Sequence, residues 1–144
     1  MQPANILVAD DDAVARDLLA ESLKKDGYVV EAFASGEEVI ARGRQGKVDL
    51  VLTDIRMGAV DGLTVLREFK RMSPDTAVVV LTSFGSLEGA IEAIKQGAYD
   101  YLAKPFKKED IKLVVKRSLD HCQLVRENAR FREELKSKDE WSPL

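Results

Sequence analysis

An aspartate closes an apolar run at Asp54, and three more stand together behind another apolar run at Asp10, Asp11 and Asp12. A hydroxyl and an ammonium follow further apolar runs at Thr82 and Lys104. A lone Asp54 would read as a helix cap or turn residue. Three adjacent carboxylates are harder to explain that way. One capping aspartate already gives a helix start its benefit of about 0.3–1 kcal/mol, and the remaining charges repel one another. Three in a row at the end of a buried strand call for a cation.

The elements that carry these groups alternate. Residues 5–9 form a short apolar strand, and residues 13–25 a helix with Val14, Leu18, Leu19 and Leu23 on one face, closed at Gly27. A second strand spans residues 28–33. Ser35 caps a helix that ends near Gly46. The run ending at Asp54 is too short for an ordinary helix and rich in β-branched residues, so it reads as a strand buried on both faces. The loop from Arg56 to Gly62 leads into a helix over residues 63–72, with Leu63, Leu66 and Phe69 at helical spacing. A strand at residues 77–81 precedes a helix over 86–96, where Gly89 costs about 0.5–1 kcal/mol if exposed. The fifth strand spans residues 99–103, and a helical pattern runs from Lys107 to about Lys138.

Five strand-helix alternations imply a doubly wound five-stranded parallel sheet with right-handed crossovers and helices on both faces. Asp10, Asp11, Asp12, Asp54, Thr82 and Lys104 all fall at carboxyl ends of strands, so they converge on the rim where such sheets bind ligands.

Composition limits the alternatives. The chain has 144 residues, 45% of them hydrophobic, which suits one domain with a real core. Its net charge of −3 divides unevenly: residues 1–103 hold 11 Lys+Arg against 17 Asp+Glu, and residues 104–144 hold 11 against 8. So weak a basic excess in the tail gives no argument for nucleic-acid binding. Cys122 is the single cysteine and His121 the single histidine, so an intrachain disulfide and a thiolate metal site are excluded. No signal peptide and no membrane-length apolar run is legible, and a soluble cytoplasmic protein is the expectation.

The motifs Leu7-Val8-Ala9-Asp10-Asp11, Thr53-Asp54-Ile55-Arg56-Met57 with Asp61-Gly62, Val80-Leu81-Thr82 and Tyr101-Leu102-Ala103-Lys104-Pro105-Phe106 occur in this order. Over residues 4 to about 120 the chain resembles the receiver domain of two-component response regulators. The resemblance implies a flavodoxin-like strand order 2-1-3-4-5. It implies that Asp54 accepts a phosphoryl group from a sensor histidine kinase, and that Asp10, Asp11, Asp54 and the Arg56 backbone carbonyl serve Mg²⁺. It further implies that Thr82 and Lys104 follow the phosphoryl group, that Tyr101 is an aromatic switch, and that the Lys104–Pro105 bond is cis. Asp12 matches a variable position. Gly58 stands where the family commonly has proline, so the loop after Asp54 should be freer here.

Such chemistry suits this residue set. Mg²⁺ takes one or two carboxylates and leaves positions for phosphoryl oxygens. A lysine adds charge where the transition state spreads it, so catalysis is mostly positioning and electrostatics. A phosphoaspartate then brings about −1.5 to −2 of new charge to the rim. Two other classes compete. A Mg²⁺-dependent aspartate phosphatase usually needs a second acid or base near the nucleophile, and the residue two after Asp54 is Arg56. A mononucleotide-binding flavodoxin-like protein needs a glycine-rich loop where this chain has three aspartates.

The tail divides from the domain near residue 120, giving a receiver over 1–120 and a helical linker over 121–144. Asp100 to Phe106, together with Arg126-Glu127-Asn128 and Arg132-Glu133-Glu134-Leu135 of the terminal helix, resemble the nitrogen-regulator branch, whose members activate the σ54 form of RNA polymerase through attached ATPase and DNA-binding domains. The alternative is a stand-alone receiver acting by protein-protein contact. Heptads put Val114, His121, Asn128 and Leu135 at a, and Arg117, Leu124, Phe131 and Lys138 at d. Alternatively Ile111, Val115, Leu119 and Cys122 dock on the domain's own sheet and the rest is solvated linker. So polar a helix is marginal alone. We therefore expect a parallel homodimer through residues 121–138, with His121, Leu124, Asn128, Phe131 and Leu135 in the seam.

Overall fold

The computed structural model describes residues 3–83 and 87–141, with side chains described as far as Leu135. The chain alternates β1 (Asn5–Ala9), α1 (Ala13–Lys25), β2 (Val29–Phe33), α2 (Gly36–Gly43), β3 (Leu50–Asp54), α3 (Gly62–Met72), β4 (Ala77–Thr82), α4 (Leu87–Lys95), β5 (Asp100–Ala103) and α5 (Lys108–Trp141). All four strand pairings are parallel, in the order β2-β1-β3-β4-β5. This is the doubly wound sheet that the alternation implies, in the flavodoxin-like order that the resemblance implies.

Side-chain alternation along the strands builds two cores. Ile6, Val8, Leu50, Leu52, Val79 and Leu81 face α1 and α5, where they meet Leu19, Leu23, Ile111 and Val115. Leu7, Ala9, Val51, Val78 and Val80 face the other way, onto Val39, Val65, Leu66, Phe69 and Ala93 of α2, α3 and α4. Every residue of β3 and β4 is buried, as central strands covered on both faces require.

Helix starts are capped by side chains: Asp12 accepts from the Val14 N–H, Ser35 from Glu38, and Asp61 from Thr64. The Ser86 start expected for α4 lies outside the described residues. Two packing expectations are corrected. Val14 is 77% and Leu18 40% exposed, because the buried stripe of α1 is Ala15, Leu19, Ala20 and Leu23, and Val14 and Leu18 lie on its flank. Gly89 is half-buried rather than exposed, and a Cβ there would come within 3.2 Å of Ile55 Cδ1. Its missing side chain lets α4 approach the residue that follows Asp54.

The terminal helix is 34 residues long, about 50 Å at the usual rise. Its first part packs on the sheet: Ile111, Val114, Val115, Ser118 and Cys122 are buried. Val114 therefore belongs to the domain's own core, so the expected heptad pattern cannot begin there. The Lys138 side chain lies outside the described residues. Contact with the body runs to Arg126, whose Nε donates to Asp75 Oδ2 (2.6 Å), Nη1 to Asp49 Oδ1, and Nη2 to the Val48 carbonyl (3.0 Å). From Asn128 to Leu135 every residue is exposed.

Candidate functional site at the carboxyl rim

Asp10 directly follows β1, Asp54 ends β3, Thr82 ends β4 and Lys104 follows β5. Because the strands are parallel and adjacent, these ends meet. Lys104 Nζ lies 2.8 Å from Asp54 Oδ2, to which it donates, and 2.8 Å from Asp10 Oδ2. Asp10 Oδ2 is buried, and Lys104 is the charged partner it meets there. Asp10 is fully buried, Asp54 is 7% exposed, and Asp11 is exposed.

Carboxylate oxygens of Asp10, Asp11 and Asp54 lie within 4.8 Å of one another. Two of these three acids, Asp10 and Asp54, share one ammonium. Burial pushes the Asp10 carboxyl above its ordinary range and the Asp54 charge adds to the rise, although Lys104 and the Asp12 N–H oppose it. Burial also disfavours the Lys104 ammonium, but Asp10 and Asp54 outweigh that and raise its pKa.

The backbone around Asp54 is tightly held. Its Oδ1 accepts from the Arg56 N–H at 3.1 Å, which sets the start of the following loop against the carboxylate. The Ile55 N–H donates to the Leu81 carbonyl, and the Gly62 N–H to the Ile55 carbonyl. A Cβ on Gly62 would sit 2.3 Å from the Asp54 carbonyl oxygen, so the close approach at the end of this loop needs glycine. Gly58 has φ 58°, a left-handed conformation that the proline ring cannot adopt. The loop therefore follows a path that proline at this position would forbid.

Asp12 is committed to capping α1, and its own N–H donates to Asp10 Oδ1 at 2.9 Å. Thr82 is buried beside this pocket, and its carbonyl accepts from the Lys104 N–H, linking the ends of β4 and β5. The Lys104–Pro105 peptide is cis. Tyr101, in the edge strand β5, is 41% exposed. His121, expected in the dimer seam, packs instead against Tyr99 of its own domain, with ring centroids 4.6 Å apart and planes tilted by 32°.

Sequence reasoning missed three contacts. Arg16 Nη1 donates to the Asp10 carbonyl at 2.8 Å. Gly36 opens α2 as a notch for Val60, whose Cγ1 and carbonyl oxygen would each lie 2.6 Å from a Cβ. Arg126 joins Asp49 and Asp75 at the opposite end of the sheet. Only the notch has a local signal, a glycine at a helix start.

Rim and sheet together define a doubly wound α/β domain with an acidic centre at its topological switch. The response regulator receiver domain model matches residues 6–116, and the chain belongs to that family. It is 36% identical over 121 residues to the transcriptional regulatory protein ZraR of Escherichia coli O157:H7, covering 84% of this chain and 27% of that protein. It is 37% identical over 123 residues to the DNA-binding transcriptional regulator NtrC of Salmonella typhimurium, covering 85% and 26%. The crystal structure of NtrX from Brucella abortus in complex with ADP superposes with a TM-score of 0.84 at 35% identity, over 89% of this chain and 30% of that one. The chain thus spans about a quarter of the length of the curated relatives it matches. Among the described residues no helix is long and apolar enough to cross a membrane.

Proposed function

We propose that this protein is the phospho-accepting receiver of a two-component response regulator, with Asp54 as acceptor and a sensor histidine kinase as donor. The observation that carries this reading is the Lys104 Nζ contact to both Asp54 and Asp10, with Asp11 close by. An Asp54 carboxylate oxygen bonds to phosphorus as the donor's P–N bond breaks, and the electron pair returns to the imidazole nitrogen. Lys104 meets the charge on the phosphoryl oxygens. Thr82 offers its hydroxyl to one of them, and Tyr101 responds to the space that Thr82 leaves. The Arg56 N–H holds the acceptor in place.

Asp10, Asp11 and Asp54, with the Arg56 carbonyl, would hold Mg²⁺. Three carboxylates that offer hard oxygen donors within 4.8 Å of one another suit that ion. When bound, Mg²⁺ supplies the positive charge that lets one anion approach another. The protein is an acceptor and switch in this reading, acting on its own side chain rather than turning over a diffusing substrate.

An apolar groove beside Lys104, lined by Val14, Leu18, Pro105 and Phe106, offers the kinase a docking surface next to the acceptor. The output is a parallel homodimer through α5, in the cytoplasm, controlling attached ATPase and DNA-binding domains of the σ54-activator type. Similarity to the transcriptional regulatory protein ZraR and the DNA-binding transcriptional regulator NtrC supports a transcriptional output. Docking of α5 and a coil need not compete. At 100° per residue Leu124, Asn128, Phe131 and Leu135 fall within an arc of about 60° on the side of the helix away from Ile111, Val115 and Cys122.

Incubation with Mg²⁺ and acetyl phosphate should add one acid-stable, base-labile phosphate, and Asp54→Asn should abolish it. Undiminished labelling at the same site in the variant, by intact mass and peptide mapping, would remove Asp54 from this role.

A further inference from the structure

We propose that Arg126 is a positioning residue for the dimer: a clamp that fixes the rotation of the tail helix, so that Leu124, Asn128, Phe131 and Leu135 face a second copy of the chain. This rests on the dimer reading above and adds the device that sets its geometry.

The clamp has three arms. The planar guanidinium fork reaches Asp75, Asp49 and the Val48 carbonyl at once, across 51 to 78 residues of sequence. Each acceptor is fixed by the body. Asp49 Oδ2 accepts from the Asn5 N–H at 2.7 Å, Asp75 Oδ1 from the Ser73 hydroxyl at 3.1 Å, and the Val48 carbonyl also accepts from Thr76 Oγ1 at 2.8 Å. Arg126 is therefore gripped by the starts of β3 and β4, the strands whose far ends carry Asp54 and Thr82. Burial works against the guanidinium's charge, yet the two carboxylates outweigh it. Burial raises the Asp75 carboxyl, but hydrogen bonding and attraction from Arg126, helped by the Ser73 hydroxyl, hold it below its ordinary range.

The last fully buried apolar residue of α5 is Cys122, four residues before the clamp, and Val125 is only half-buried. Packing alone would leave the next turns free to fray or roll, since an unsupported polar helix is marginal. Arg126 lies within an arc of about 80° that also holds Ile111, Val115, Leu119 and Cys122, so it extends the docked stripe by one turn. The seam residues point about 170° away from it. They are bare: Leu124 is 55%, Phe131 59% and Leu135 61% exposed. Their spacing of four, three and four residues suits another copy of the same helix, and Asn128 suits an in-register pair.

The test uses the full chain with nitroxide labels at Gln45→Cys on the body and Arg130→Cys on the tail, both exposed sites, while Cys122 is buried. Labelled chains diluted with unlabelled chains report the distance within one chain. A single narrow distance is expected, and it should be lost in Arg126→Met. Asp49→Asn with Asp75→Asn should reproduce that loss, so the test survives if one variant fails to fold. Retention of the narrow distance in both would overturn the clamp. Chains labelled only at Gln45→Cys report the distance between copies, which should be narrow in the parent and broad in Arg126→Met. Sedimentation equilibrium reads the dimer independently: a monomeric parent chain at high micromolar concentration overturns the presentation to a second copy, whereas the distance within one chain still decides whether Arg126 anchors the helix.

Discussion

Lys104 Nζ donates to Asp54 Oδ2 at 2.8 Å across fifty residues of chain. The pair exists because β3 and β5 flank β4 in a parallel sheet and end at the same rim. Lys104→Ala should leave Asp54 able to accept phosphate but uncouple the response, since the lysine reads the added charge. Phospho-dependent chemical-shift changes at Ser83 and from Leu87 to Tyr101 should be lost in the variant. Their persistence would make Lys104 a bystander.

Asp11 and Asp12 are neighbours with separable tasks. Asp11→Asn should weaken Mg²⁺ binding several-fold and leave stability almost unchanged. Asp12→Ala removes the cap that accepts from Val14, so it should cost about 1 kcal/mol of stability and disturb Mg²⁺ far less. Metal titration by NMR paired with urea unfolding separates the two, and the reverse order would shift the metal assignment by one residue.

Gly58 is left-handed, so Gly58→Ala should cost about 1–2 kcal/mol. Gly58→Pro should cost more, because its ring forbids that φ. Equal unfolding midpoints for parent and Gly58→Pro would show that the loop has an alternative path of equal energy.

Asp75 gives a pH dependence with a definite sign. Its folded pKa lies below the ordinary aspartate range, because hydrogen bonding and attraction from Arg126 overcome burial. The unfolded state therefore takes up the proton first as pH falls. The stability that this carboxylate contributes is complete above the ordinary aspartate range and is lost as pH falls through the depressed folded value. Its side chain is 37% exposed, so solvent screening keeps the effect modest. Urea unfolding at pH 6 and about pH 3 should show a larger loss in the parent than in Asp75→Asn. Equal losses would deny the linkage.

Truncation after Leu119 removes Cys122, Arg126 and the exposed apolar stripe together. The shortened chain should be monomeric by light scattering where the parent is dimeric. A dimer that survives the truncation would place the interface on the body instead.

Much of the fold is legible because buried parallel strands announce themselves as short β-branched runs, and the rim lies where those runs stop. Asp10, Asp54, Thr82 and Lys104 need only that geometry to be brought together. The strand order comes from the motif resemblance, since periodicity carries no information about which strand neighbours which. Val14 and Leu18 read as buried because the apolar stripe of α1 is wider than the surface it covers. Gly58 is visible as a departure from the family pattern, but its left-handed φ is a property of the folded loop that the residue type alone does not give. Arg126 is invisible as a clamp: ion pairs over 51 and 77 residues leave no local pattern, and an arginine in a polar helix looks solvated.

A helix docked along its first turns and free beyond them is a screw as well as a strut. One residue inserted between Glu127 and Asn128 advances the distal turns by about 1.5 Å and rotates them by about 100°, carrying Phe131 and Leu135 out of line with Leu124. Seven inserted residues lengthen the helix by about 10 Å yet return the stripe to within about 20° of its bearing. Length in this tail is therefore free to vary in multiples of a heptad, and azimuth is not.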